Sequence, residues 1–135
     1  MNYKGNVENM GDLMEKLMNY IIENNVNVIG APFSLYYTDP SMVKPEDMVY
    51  DMGFPIAGEA KEEGEVKIKE IPKHNVISGI HKGEYTKLGE TYMSIWNYIT
   101  ENKFEPNGIP KEIYLNSPTE VSPDELLTEV QFPIE

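Results

Sequence analysis

The chain has 135 residues, no cysteine and a net charge of −12, from 23 acidic and 11 basic side chains. That length suits one compact domain with its own core, and the missing cysteines exclude disulfides, thiol catalysis and Cys-ligated zinc. The negative balance disfavours direct nucleic-acid binding, since phosphate backbones attract the opposite sign; it suits a cationic or neutral ligand, a basic protein partner, or plain solubility.

No apolar run is long enough to span a membrane and no signal peptide opens the chain, so a cytoplasmic protein is expected. His74 and His81 stand in no metal-ligand spacing, and neither a metal nor a cofactor is expected. Nine tyrosines, four phenylalanines, one tryptophan and eight methionines supply many flat or adaptable apolar groups for so small a chain.

In chain order, Met10, Leu13, Met14, Leu17, Met18 and Ile21 recur at helical spacing, after a turn at Gly5. A strand follows in "APFSLYYTD". The acidic link 59–65, with Glu62 and Glu63, reads as a solvated connection. "EVKIKEIP" at 65–72 reads as a strand, with "NVISGIHKG" as its pair. After Gly83, the residues Leu88, Tyr92, Ile95, Trp96 and Ile99 mark a second helix over 86–102. Asn-Gly-Ile-Pro at 107–110 breaks it, and a strand runs to about 116. Ser117 and Pro118 begin a turn, and a last strand covers 124–132, ending in "QFPI".

The chain matches itself. With Tyr3 laid on His81 and no gaps, "YKGNVENMGDLMEKLMNYIIENNVNVIGAPFSLYYTDP" aligns with "HKGEYTKLGETYMSIWNYITENKFEPNGIPKEIYLNSP". Lys-Gly, Asn-Tyr in mid-helix, Gly-x-Pro before the strand, the strand tyrosine and the closing Phe-Pro-Ile are shared. Each unit then reads strand, helix, strand, strand. Repeat one covers 1–58 and repeat two 66–135, in one α+β domain. A pseudo-twofold axis should relate the halves, with both helices packed on antiparallel sheet and the first strand of repeat one short or missing.

Period-two alternation in "PKEIYLNSP" puts Ile113 and Leu115 on one face and Glu112 with Tyr114 on the other. Taken alone, Glu112 reads as an ordinary solvated charge. In the duplicate its place is held by Ser34, whereas Tyr114 is matched by Tyr36. One carboxylate thus breaks the symmetry of the repeat. Buried among aromatics, such a group favours either protonation or a cationic guest.

"HKGEYTKLGETYMSIWNYI", "PKEIYLNSP" and "ELLTEVQFPI" resemble the second half of a GyrI-like small-molecule-binding domain. That family comprises DNA gyrase inhibitory proteins and the effector-binding domains of AraC- and MerR-type multidrug regulators. The resemblance covers nearly the whole chain and implies an SHS2-type duplication. It also implies an aromatic pocket near the axis between the halves, with a glutamate at its base, here Glu112. Tyr114 maps onto a pocket-lining position, and Trp96 onto a helix position where the family carries a pocket aromatic. The implied activity is binding of lipophilic, preferably cationic, small molecules for sensing or sequestration. An alternative is hydrolysis of cyclopropane-bearing toxins, with Glu112 as general base and Trp96 and Tyr114 orienting substrate. A further alternative is an acidic inhibitor of DNA gyrase. No helix-turn-helix is recognised, so a stand-alone module, or one working with a separate regulator or gyrase, is expected.

Other residues carry structural readings beside functional ones. Tyr36 and Ser34 face as Tyr114 and Glu112 do, so sheet packing and ligand contact both suit them. Tyr92 reads first as core and Trp96 as part core, part pocket. Phe132 and Phe54 read first as core, Phe132 also as pocket wall. His81 is assigned no chemistry.

Overall fold

A computed structural model describes residues 1–6, 9–38, 42–62, 64, 66–71 and 75–135. His74, Glu63 and both ends of the strand expected over 65–72 lie outside the described residues. The chain divides into two compact units, residues 1–71 and 72–135. The architecture is α+β, and each unit packs one helix on antiparallel strands.

The first unit runs β1 (Asn2–Lys4), α1 (Met10–Glu23), β2 (Asn27–Val28), β3 (Phe33–Tyr36), β4 (Val49–Gly53) and β5 (Ile56–Ala57). β4 pairs antiparallel with β1 and β3, and β2 with β5. The opening strand is three residues long, short as expected. Leu13, Leu17 and Tyr20, spaced four and three apart, are the buried residues of α1. The registers Ser34↔Met52 and Tyr36↔Tyr50 put these four side chains on one face. Ser34 Oγ donates to Met10 Sδ at 3.7 Å, which marks this face as the one α1 covers. Leu35 and Asp51 point the opposite way.

The second unit runs β6 (Asn75–Lys82), α2 (Leu88–Glu101), β7 (Lys111–Tyr114) and β8 (Leu127–Ile134). β8 is central and pairs antiparallel with β6 and β7. Leu88, Ile95 and Ile99 of α2 meet Val130 of β8 in the core, with Ile77, Tyr92 and Phe132 packed around them. Gly79 of β6 lets the strand come close to the helix. A Cβ there would lie 3.3 Å from Ile95 Cδ1.

In both units a strand precedes the helix and an antiparallel strand pair follows it, the first unit adding the short pair of β2 and β5. Each helix closes through a non-glycine left-handed residue at matched positions, Asn25 (φ 51°) and Lys103 (φ 57°). Several expected bounds shift. α2 starts at Leu88 because Tyr85–Lys87 wind into a tighter 3-10 turn. The strand expected to reach 116 ends at Tyr114, where turn residues begin. The last strand starts after a 3-10 turn at Pro123–Glu125 and extends to Ile134.

The strand expected over 65–72 is not formed at the described residues 67–71. Residues 67–71 carry no strand, Ile68 and Ile71 are exposed, and β6 pairs with β8 instead. Alternation in "EVKIKEIP" made it a candidate, but alternation alone does not supply the ladder partner a strand needs, and β6 takes β8 as its partner over its full length. The segment is held through a lysine, as described below.

Candidate functional site

β7 is short, but its register decides which way its side chains point. Glu112 lies opposite Val130, and Tyr114 opposite Thr128. Val130 belongs to the core beneath α2, so Glu112 and Tyr114 also face the helix. Glu112 is only 6% exposed, which overturns the solvated reading of its charge.

A buried carboxylate needs donors. Tyr92, on α2, donates its hydroxyl to Glu112 Oε2. Tyr114 donates to Oε1 at 3.1 Å from two residues along the same strand. Each carboxylate oxygen thus carries a phenol. Tyr85 closes the group, its ring set edge-on to Tyr114 with centroids 5.8 Å apart at 73°. Burial, and then the negative charge of Glu112, push the Tyr85 phenol above its ordinary value, so it stays a neutral hydrogen-bond donor.

On the other side of Tyr92 an aromatic series leads outward. Tyr92 meets Phe132 edge-on at 5.5 Å, and Phe132 meets Trp96 at 6.3 Å. Trp96 is 47% exposed, so the series connects the buried carboxylate to the surface. Thr128, opposite both Tyr114 and His81, keeps a buried hydroxyl with no hydrogen-bond partner among the described residues. His81 is structural. Its Nε2–H donates to the Glu84 carbonyl at 3.0 Å and its Nδ1 lies 2.8 Å from Thr91 Oγ1, tying β6 to α2.

Of the residues singled out by sequence, Glu112, Tyr114, Tyr92, Phe132 and Trp96 are gathered within residues 72–135. Tyr92 combines core packing with a direct bond to the carboxylate, a role beyond the core one first read for it. Ser34 and Tyr36 belong to residues 1–71, where Ser34 is fully buried against Met10. Tyr36 there packs against Tyr50 at 5.8 Å, and Tyr3 lies 5.6 Å from Tyr50 on its other side. Sequence reasoning missed Tyr85, although it stands where the first repeat has Val7 and is thus an aromatic gained in the glutamate-bearing repeat. Among the described residues, no group of three His, Cys, Asp or Glu side chains is placed to hold a metal.

The family model of the GyrI-like small molecule binding domain matches residues 1–135. The chain belongs to the GyrI-like family. Among solved structures it is similar to the EcmrR C-terminal domain, with TM-score 0.89 and 21% identity over 99% of this chain and 87% of that one. It is also similar to EcmrR in a cryo-EM structure of an EcmrR–DNA complex, with TM-score 0.88 and 22% identity. There the chain spans 52% of the EcmrR chain. A hydrolase from Listeria innocua shares the fold at TM-score 0.71 and 9% identity, over 99% of this GyrI-like chain and 84% of that chain. No curated protein matches the sequence. No helix among the described residues is long and apolar enough to cross a membrane.

Proposed function

We propose that this GyrI-like domain binds lipophilic, preferably cationic, small molecules beside Glu112. The reading rests on one observation: a carboxylate only 6% exposed, held by two tyrosine hydroxyls and joined by aromatic rings to a half-exposed tryptophan. Burial strengthens the pull of the carboxylate on a cation, because the competing water is gone. Ring faces of Trp96, Tyr85 and Phe132 add about 0.5–2 kcal/mol each where a cation lies over them. The apolar body of the ligand would cover Trp96, and Tyr92 and Tyr114 would hold the carboxylate in place. The family match and the likeness to the EcmrR domain support a ligand-binding module. Effector sensing with a separate regulator is the use that fits them best.

Calorimetric titration with a panel of cationic aromatic dyes, on the wild type and on Glu112→Gln, tests the reading. Binding lost or weakened at least tenfold in the variant is the expected result. Equal binding by both proteins, or none by the wild type, would refute it.

A second reading has its own support. A fold relative described as a hydrolase, together with a buried glutamate flanked by phenols, suits general-base activation of water on a strained electrophile. Glu112 would take the proton from water, while Tyr114 and Trp96 orient the substrate. Product analysis after incubation with a cyclopropane-bearing alkylator decides it; turnover no faster than buffer removes this reading and leaves the binding one intact.

A further inference from the structure

The face of the first sheet that points away from α1 holds a second buried carboxylate. Asp51, on β4, is 6% exposed and is reached by three donors from three separate segments. Asn2 Nδ2 on β1 donates at 3.0 Å, the Tyr37 hydroxyl just past β3 donates to Oδ2, and Lys69 Nζ donates to Oδ2 at 2.5 Å. Lys69 Nζ also donates to the Tyr37 hydroxyl oxygen at 3.0 Å and stands over the Tyr37 ring, 5.3 Å from its centroid. A buried carboxylate, a phenol oxygen and an aromatic face converge on one ammonium group. This is the chemistry of an alkylammonium site.

Its occupant is unusual. Lys69 comes from the irregular segment 67–71, and its side chain is 54% exposed, whereas Asp51 and its other donors lie on or beside the sheet. The receiving groups lie on or next to the strands, and the ammonium is carried in on a segment without strand or helix. We propose that Asp51, Tyr37 and Asn2 form a binding site for a primary alkylammonium ion, which the protein occupies with its own Lys69. A free amine then competes with a tethered one, whose effective concentration is on the order of millimolar. Displacing Lys69 would release segment 67–71 from β4. The duplicate unit has no such site: at the positions of Asp51, Tyr37 and Asn2 it carries Glu129, Leu115 and Ile80. The proposal is independent of the reading for Glu112, because no residue is shared.

The test is chemical rescue. Lys69→Ala leaves the buried carboxylate without its ammonium, and thermal unfolding is followed in n-butylammonium chloride, with sodium chloride at equal ionic strength as reference. At amine concentrations well above the dissociation constant, Tm should rise by about 3 °C or more over the sodium control. The rise should be absent in Lys69→Ala/Asp51→Asn and in Lys69→Arg, and tetramethylammonium, which has no N–H to donate, should not reproduce it. Equal shifts in the single and double variants, or none in the single, overturn the proposal. If Lys69→Ala does not fold in sodium chloride, folding restored by butylammonium supports the site, and a chain unfolded at every amine concentration refutes it.

Discussion

The Tyr92 hydroxyl donates directly to the Glu112 carboxylate, joining a helix residue of the core to a strand residue of the candidate site. Removing the donor by Tyr92→Phe leaves a buried acceptor short of one partner. The expected loss is about 1–3 kcal/mol of stability, read from urea unfolding midpoints at constant slope. Tyr114→Phe also removes a donor to Glu112, but the bond lost is the longer of the two, at 3.1 Å, so about 0.5–1.5 kcal/mol is expected.

Trp96 separates binding from stability. Its ring is half exposed and meets Phe132 at the margin of the core. Trp96→Ala should therefore lower Tm by no more than a few degrees. Its affinity for a cationic dye should fall tenfold or more, equivalent to about 1.4 kcal/mol of lost contact. Paired calorimetry and thermal melts check both halves, and a large Tm loss with unchanged affinity would contradict the placement.

Acid should weaken the first unit through Asp51. Burial by itself would raise this carboxyl, but the Lys69 ammonium, the Tyr37 hydroxyl and the Asn2 amide together hold it below its ordinary 3.8. A depressed carboxyl contributes stability that is complete above its unfolded value and is lost as pH falls through the folded one. The stability difference between wild type and Asp51→Asn should thus be flat above about pH 5 and shrink as pH drops below 3.8. Lys69 runs the other way. Its bond to Asp51 raises it above 10.5, so its contribution is complete below that pH and is lost as pH rises through the folded value. Unfolding midpoints from pH 2 to 11 would trace both limbs, and a difference that grows in acid would reverse the assignment.

Gly79 tests the close approach of β6 and α2. A side chain there meets Ile95 Cδ1 at 3.3 Å, and Val brings two further methyl groups into the same space. Gly79→Val should cost about 1–3 kcal/mol through overpacking. Ile95→Val in the same protein should recover part of that loss, because it removes the methyl that is struck; additive losses in the double variant would place the clash elsewhere.

Much of this molecule was legible in its sequence. The sequence pattern led to an α+β fold with helices packed on antiparallel strands, and that is the architecture observed. Asn25 and Lys103, matched in the self-alignment, both take a left-handed conformation after their helices. Alternation along "PKEIYLNSP" put Glu112 and Tyr114 on one face, as their hydrogen bond shows. Other features depended on which elements meet. The pattern of "EVKIKEIP" suited a strand, yet residues 67–71 form none, because pairing is decided by the partner offered and not by alternation. Alternation could not show the burial of Asp51, since a charge carries no sign of its own environment, and for Glu112 only the family resemblance pointed to a pocket base. Only the packing of α2 over β7 set the Tyr92 hydroxyl on Glu112, and only the path of the chain after β5 brought Lys69 to Asp51. Local spacing determines which face a side chain takes; long-range contact determines what that face meets.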